Sequence, residues 1–440
     1  MLKEINQKQK NHIRNIKQKL EKNSCVLDTS NLGTGKTYSA AIISQNYNNP
    51  LVISTPTVLN KWKGIKEKHE SLNKLQLLSL YQINKLQNIE NIDFIIIDEI
   101  QYFKNSSKRT NYLIELMESI KSIDILAISS TPIDKKRQLV NILRIMKILD
   151  TDLYIYRRDL QIYIFEGYNK LFEKFENSSK FKRKDYLIIK LRNSDYINKK
   201  SIFDSVYDLY SKCIKFEIGV CNKIKNDTVV LKETETVIQV KTQEAKDALI
   251  AMEEVVVRSY GEDVDRKDIF NQFIKAFYNL ELNKMKEFSD MIYKDIEKFE
   301  TKKFVIMCNY RNSLEFLKNY LESRGIYPLI LDGSIKMDRR SEIIDKFMED
   351  NYNHRVIIGN IQVLSTGIDL DDKYGDFERK AYIFPSYNSI TIKQALHRFH
   401  RLDTKSNSEA SLCYIKNDSV KESRLIKSLK TKFEIIKETT

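Results

Sequence analysis

Between a short apolar run, Ser24-Cys25-Val26-Leu27, and a stretch of small and apolar residues, Tyr38-Ser39-Ala40-Ala41-Ile42-Ile43, stands the glycine-rich sequence Asn31-Leu32-Gly33-Thr34-Gly35-Lys36-Thr37. This order requires a buried strand that delivers a tight turn to the first turn of a helix, with small residues where that helix approaches a sheet. Backbone N–H groups at the helix start, and the positive end of its dipole, favour phosphate. Lys36 is placed to reach terminal phosphates, and the Thr37 hydroxyl to ligate magnesium. The loop therefore predicts a nucleoside triphosphate site built on Gly33, Thr34, Gly35, Lys36 and Thr37. Ser30 stands where the general pattern has its first glycine.

The rest of the chain extends the same architecture. Leu51-Val52-Ile53-Ser54, Phe94-Ile95-Ile96-Ile97 and Ile125-Leu126-Ala127-Ile128 are apolar throughout, as strands covered on both faces must be, and helix-length segments separate them. That pattern predicts a parallel α/β sheet. From about Leu139 to Ile224 the sequence turns basic, with Arg157-Arg158 and Lys182-Arg183-Lys184, and reads as a helical insertion. Thr228 to Val240 alternates as a strand does and is expected to close the first sheet, before a helical stretch up to Glu300. A second α/β series follows at Phe304-Val305-Ile306-Met307, Leu329-Ile330-Leu331, Val356-Ile357-Ile358 and Ala381-Tyr382-Ile383-Phe384. The expected organisation is a first lobe over 1–240 with an insertion at about 140–225, a helical connector over 241–282 and a second lobe over 283–440.

Composition narrows the partners. The 74 Lys and Arg exceed the 60 Asp and Glu, and the resulting +14 suits a polyanion such as nucleic acid, with a merely solvated basic surface as the alternative. The five cysteines are scattered, odd in number and without metal-ligand spacing, which points to a reducing compartment. No apolar run has the length of a membrane span, so a cytoplasmic protein without a membrane partner is expected. Heavy use of Lys, Asn and Ile suggests a bacterial, phage or viral AT-rich genome; in a nucleus-bearing host the location would be nuclear.

Two further motifs carry chemistry. Asp98-Glu99-Ile100-Gln101 directly follows the Phe94–Ile97 run, so its carboxylates lie at the carboxyl end of a buried parallel strand, where open α/β sheets bind ligands. Asp98 is placed to hold magnesium and Glu99 to orient and deprotonate the water attacking a γ-phosphate. Far downstream, Gln394-Ala395-Leu396-His397-Arg398-Phe399-His400-Arg401 spaces Gln394 four residues, and Arg401 three, from Arg398 on an expected helix. A planar cation brought to the γ-phosphate from another lobe would stabilise the transition state and tie hydrolysis to lobe closure. His397 and His400 have no Cys or third His beside them and are read as packing or contact residues.

These motifs, in this order, resemble helicase superfamily two, and within it the Swi/Snf-like double-stranded-DNA translocases, over nearly the whole chain. Gln9 resembles the adenine-reading glutamine upstream of the phosphate loop. Ser54-Thr55-Pro56-Thr57-Val58-Leu59-Asn60-Lys61-Trp62 resembles the strand-end motif that touches DNA phosphates, with Pro56 and Trp62 at Swi/Snf-like spacing. Asp98 through Asn105 looks like the family's acidic box with its trailing Lys-Asn, and Ser129-Ser130-Thr131-Pro132-Ile133 like its coupling motif. In the second series Lys303 to Tyr310, Leu331-Asp332-Gly333-Ser334 with Arg339-Arg340, and Leu364-Ser365-Thr366-Gly367-Ile368-Asp369-Leu370 resemble the fourth motif, its follower and the fifth. The last motif is similar to Gln-x-x-Gly-Arg-x-His-Arg, with His397 where glycine is usual.

The resemblance implies two RecA-like lobes and an ATP hydrolase using magnesium, with Lys36, Asp98, Glu99, Arg398 and Arg401 catalytic. It adds Gln9, Gly367, Asp369 and Gln394 to the nucleotide contacts. It makes Thr55, Pro56, Lys61, Ser79, Tyr81, Thr131 and Thr366 candidate DNA contacts. The expected partner is double-stranded DNA, with replication or transcription proteins beside it, and the expected work is in DNA replication, recombination, repair or transcription. A strand-separating fork or recombination helicase, an RNA helicase and a non-catalytic DNA-binding adaptor remain the rival readings.

Overall fold

The computed structural model describes residues 7–30, 33–86, 89–120, 122–147, 155–157, 162–164, 207, 221–222, 231–258, 266–349, 351–365, 368–399, 404–417 and 423–439. The chain divides into two compact units, Met1–Lys225 with Glu434–Thr440, and Asn226–Phe433. Each is an α/β lobe with its own parallel sheet and its own pair of apolar layers.

In the first unit helix α1 (Gln7–Asn23) leads into strand β1 (Cys25–Asp28), and helix α2 (Lys36–Ser44) follows the loop. Then come β2 (Pro50–Ser54), α3 (Pro56–Glu67), β3 (Gln76–Ser79), β4 (Phe94–Asp98), α4 (Lys108–Ser119), β5 (Asp124–Ile128) and α5 (Leu139–Ile145). The strands run parallel in the order β3-β2-β4-β5-β1. Their alternate residues feed two cores, as a pleated strand covered on both sides must. Ile95 and Ile97 pack with Leu113, Met117 and Leu143 from α4 and α5. Phe94 and Ile96 pack with Ile16, Ala41 and Trp62 from α1, α2 and α3.

The stretch expected to be a helical insertion differs where it is described. β6 (Ile155–Arg157) and β7 (Ile162–Ile164) form a small antiparallel ladder, and β8 (Cys221–Asn222) adds parallel to β1. Lys182, Arg183 and Lys184 lie outside the described residues.

The second unit departs from expectation at its start. The alternating strand expected to close the first sheet is β9 (Leu231–Gln239), and it lies in the second sheet, parallel to β14 (Ser408–Lys416) along its full length. Its exposed residues alternate with half-buried ones, the pattern of an edge strand with one wet face, and such a pattern does not tell which sheet the strand joins. The stretch expected as a connector is likewise part of this unit. Helices α6 (Gln243–Arg258) and α7 (Arg266–Lys298) bury Leu249, Met252, Phe277, Leu280 and Phe288 against β10 (Lys303–Cys308), forming one face of the core.

The remaining elements are α8 (Arg311–Glu322), β11 (Leu329–Leu331), α9 (Met337–Met348), β12 (Val356–Asn360), α10 (Ile361–Leu364), β13 (Arg379–Ile383), α11 (Ser389–Leu396) and α12 (Ser423–Thr439), of which the residues from Glu434 on are counted with the first unit. The sheet order is β11-β12-β10-β13-β14-β9, all parallel. Val305, Met307, Ile357 and Ile383 form the opposite core with Phe347, Leu364 and Leu396. Among the described residues no helix is long and apolar enough to cross a membrane.

Gly359 marks the tightest approach in this sheet. A Cβ there would meet the Leu331 carbonyl oxygen and Leu364 Cδ1, each at 2.6 Å. The carbonyl belongs to the neighbouring strand and cannot swing aside as a side chain does. Gly359→Ala is therefore expected to destabilise the second unit by about 1–3 kcal/mol, read as a lower denaturant midpoint with the slope unchanged.

Candidate functional site

The parallel order brings the carboxyl ends of β1, β4 and β5 to one edge, with β5 in the middle, so the phosphate loop after β1 and the acidic pair after β4 stand one strand apart. Backbone bonds lace this edge together: Ser129 N donates to Asp28 O at 3.1 Å, and Glu99 N to Ile128 O at 2.9 Å. The loop turns through left-handed backbone at Gly33 (φ 77°) and Gly35 (φ 83°), a region in which side chains are strained. Lys36 opens α2, and its Nζ donates to Ser30 O at 2.6 Å. Gln9 Nε2 donates to Thr34 O at 3.2 Å, so this side chain reaches the loop from α1.

Thr37 and Asp98, predicted as the pair that holds a cation, are in contact. Thr37 Oγ1 donates to Asp98 Oδ2 at 3.2 Å. The same carboxylate oxygen accepts from Trp62 Nε1 at 3.0 Å, and Ser54 Oγ donates to Asp98 O at 2.7 Å. Burial, then the Glu99 charge, push the Asp98 carboxyl up to about 6, against the Trp62 hydrogen bond and the Lys61 and Lys36 charges. Glu99 itself is left-handed at φ 67°, a conformation costing a non-glycine residue roughly 1–2 kcal/mol. Such strain is retained at working sites. It turns the chain out of β4 into the short helical turn Ile100–Phe103, and from that turn Gln101 Nε2 donates to Glu99 Oε2.

One buried carboxylate and one hydroxyl are hard oxygen donors of the kind magnesium takes, an ion that keeps several waters and completes its shell with phosphate. The pair therefore fits that ion. Among the described residues no three His, Cys, Asp or Glu side chains gather into another metal site.

Asp98 makes the stability depend on pH. Its carboxyl is raised to about 6 in the folded state against an ordinary 3.8, so between these values the folded state binds more protons than the unfolded one. The stability it contributes is present below the ordinary value and is lost as pH rises through about 6. Asp98→Asn is expected to stabilise the chain by about 1–3 kcal/mol near pH 8, a gain that shrinks towards pH 4. Thermal melts at the two pH values check it; equal melting of variant and wild type at both counts against the raised pKa.

Sequence reading missed partners that hold these groups. The lone Trp62 is buried against Asp98, and Gln101 pairs with Glu99. Beneath the loop, His12 Nε2 lies 2.9 Å from Asp28 Oδ2, Asp28 Oδ1 accepts from Ser30 N at 3.0 Å, and Ser30 Oγ lies 3.4 Å from His12 Nε2. Burial raises the Asp28 carboxyl, but the bond and charge of His12, the Lys36 charge and Ser30 together bring it below its usual range. Ser30, in the place of the usual first glycine, is thus tied to α1, to β1 and to Lys36.

The candidate nucleic-acid residues of this unit line the same edge. Thr55 caps α3, accepting from Val58 N at 3.4 Å, and Pro56 is the first residue of that helix. Lys61 Nζ lies 5.7 Å from the Tyr38 ring centroid. Ser79 ends β3 and its hydroxyl accepts from Tyr81 N at 3.3 Å. Thr131 is buried just beyond β5, and its N–H donates to Ser129 Oγ at 3.0 Å. The trailing Lys104 and Asn105 are held locally: Lys104 pairs with Asp134 at 2.9 Å and Asn105 Oδ1 accepts from Gln138 Nε2 at 3.0 Å.

In the second unit the expected helix of the last motif stops at Leu396. His397 N then bonds Gln394 O at 3.3 Å and Arg398 N bonds Ala395 O at 3.1 Å, a tighter turn in place of a continued helix. His397 has φ −104°, open to any residue, so nothing there demands glycine; its ring lies 3.7 Å from Glu233. Gln394 and Arg398 are buried and Asp369 is exposed. Arg398 Nη1 donates to Ile368 O at 3.3 Å and Arg398 O accepts from Leu370 N at 3.1 Å, which joins the fifth and last motifs. Thr366, Gly367, His400 and Arg401 lie outside the described residues.

Comparison with known proteins bears on this second unit most directly. Residues 283–403 match the helicase conserved C-terminal domain. Among solved structures, the SWI2/SNF2 ATPase core of Sulfolobus solfataricus in complex with double-stranded DNA is similar at 15% identity and a TM-score of 0.36, over 93% of this chain and 88% of that one. Comparison with curated proteins gives no match. The second unit therefore carries a match to the helicase conserved C-terminal domain over residues 283–403.

Proposed function

We propose that this chain is a Swi/Snf-like motor of superfamily two that hydrolyses ATP and moves along duplex DNA. The observation that carries the reading is the contact between Thr37 and Asp98 beside Lys36 and Glu99 at one sheet edge, in a chain that also bears a helicase C-terminal domain. Lys36 and the loop N–H groups hold the phosphates; Glu99, oriented by Gln101, takes the proton of the attacking water. Thr37 and Asp98 would hold magnesium, which when bound neutralises charge on the phosphate oxygens. Arg398 and Arg401 supply planar cations to the phosphoryl group in its transition state. Thr55, Pro56, Lys61, Ser79, Tyr81, Thr131 and Thr366 grip DNA phosphates, which suits a motor that must pass over any sequence.

The duplex track rests on the Pro56-to-Trp62 spacing and on the +14 charge. Steady-state ATPase without nucleic acid, then with duplex DNA, single-stranded DNA or RNA, tests the reading. Duplex DNA is expected to stimulate most. Turnover indifferent to all three would sink the motor, and strongest stimulation by RNA would move the assignment to an RNA helicase. Strand displacement then separates a translocase from an unwinding enzyme.

A further inference from the structure

Arg109 is not among the residues the motifs single out, yet its surroundings are unusual. It lies in the first turn of α4, two residues beyond the capping Ser107. Its guanidinium carbon is 5.1 Å from the centroid of the Tyr81 ring and 5.8 Å from that of Phe103. Its Nε is buried and makes no hydrogen bond, and among the described residues the side chain has no ion pair. Arg144 and Arg398 also leave a buried Nε unbonded, but another nitrogen of each is held, by Glu118 at 3.5 Å and by Ile368 O at 3.3 Å, while Lys104 pairs with Asp134 at 2.9 Å and Arg355 with the carbonyls of Lys302, Ile296 and Phe299. A guanidinium carries five donors in one plane and is always charged; the buried Nε lacks an acceptor, and the Nη donors, which are not buried, are open to one from outside.

Its position selects that acceptor. Tyr81 is 64% exposed, so the stack stands at the surface. The Tyr81 turn sits beside the capping Thr55, because Leu80 N donates to Ser54 O at 2.8 Å, and Phe103 belongs to the turn that follows Glu99. Lys108, next to Arg109, and Lys85, on a short helical turn that packs against α4, are exposed cations. In the sheet, β2, β4 and β5 separate β3, which leads to Tyr81, from β1. With two rings already against the guanidinium, its in-plane donors are what it offers, and these match the paired oxygens of a phosphodiester.

We propose that Arg109, held flat by Tyr81, is a direct contact to the phosphate backbone of nucleic acid on the first unit. The proposal rests on the motor reading and adds to it a residue outside the motifs. The test is binding of the full chain to a short labelled DNA duplex by fluorescence anisotropy, across about 50 to 200 mM salt. Arg109→Gln is expected to weaken binding about tenfold at the lower salt and to reduce the slope of log affinity against log salt by about one. Arg109→Lys keeps the charge and the slope but loses the flat stack and binds a few fold more weakly. ATP turnover without DNA and the melting temperature are expected to stay at wild-type values in both. If the wild type binds duplex and Arg109→Gln matches it in affinity or in slope, this contact is overturned while the motor reading stands. If the wild type binds no nucleic acid, both fall.

Discussion

Glu99→Gln is expected to lower steady-state ATP turnover by about 10²–10⁴-fold while leaving nucleotide binding close to wild type. The substitution preserves shape, and the left-handed turn at φ 67° that sets the side chain's direction is a property of the backbone. What it removes is the basic oxygen. Gln101 donates to Glu99 Oε2, so the glutamine must present its carbonyl to Gln101 and can offer only an amide N–H towards the water. The loss should appear in kcat, with KM nearly unmoved, as befits an interaction made in the transition state alone. A fluorescent nucleotide titration beside the turnover assay separates the outcomes. Lost binding would mean that Glu99 holds the site together, and unchanged turnover would remove it from the chemistry.

Arg398→Ala carries the other large expectation: turnover down about 10³–10⁵-fold with nucleotide binding retained, the pattern of a lost arginine finger. Arg398 is nearly buried, so the variant needs a control. The side chain bonds Ile368 O and its backbone bonds Leu370 N, so alanine also releases one tie between the two motifs. Arg398→Lys distinguishes the effects, because lysine retains charge and can still reach a carbonyl but lacks the planar fork. Turnover in the lysine variant is expected to stay far below wild type with its melting temperature restored. A lysine variant with wild-type turnover would reduce Arg398 to a structural role. Arg401→Ala is expected to show the same kinetic pattern.

The sequence made the nucleotide half-site legible because its chemistry is local. A glycine pair before Lys36, and carboxylates directly after an apolar run, determine their own positions once the strands are parallel. The apolar runs also announced eight of the strands, since a strand covered on both faces has no room for polar residues. β14 escaped because Ser408, Glu409 and Ser411 interrupt its apolar residues, and β9 was assigned to the wrong sheet because alternation reports which face is wet and not which neighbour is bonded. Helices α6 and α7 were taken as a connector for a related reason: an amphipathic stripe says that something is covered, not what. Trp62 had a signal in its spacing from Leu59 on one helix face, but its hydrogen bond to Asp98 spans two elements and is decided only by packing. Arg109 had no signal at all, being one cation among many until Tyr81 and Phe103 were brought to it.

The pairing of β9 with β14 has a consequence for how the protein comes off the ribosome. The partner of β9 is the last of the described strands, so the second sheet joins its first strand to its last. During synthesis β2 to β5 of the first unit have all their neighbours early, whereas β9 emerges and must wait for every other strand of its sheet before its backbone donors and acceptors are matched. Its exposed charged residues, Lys232, Glu233 and Glu235, keep that waiting strand soluble. A second lobe expressed from residue 283, where the family match begins, would lack β9 altogether and leave the edge of β14 open to pairing with another copy.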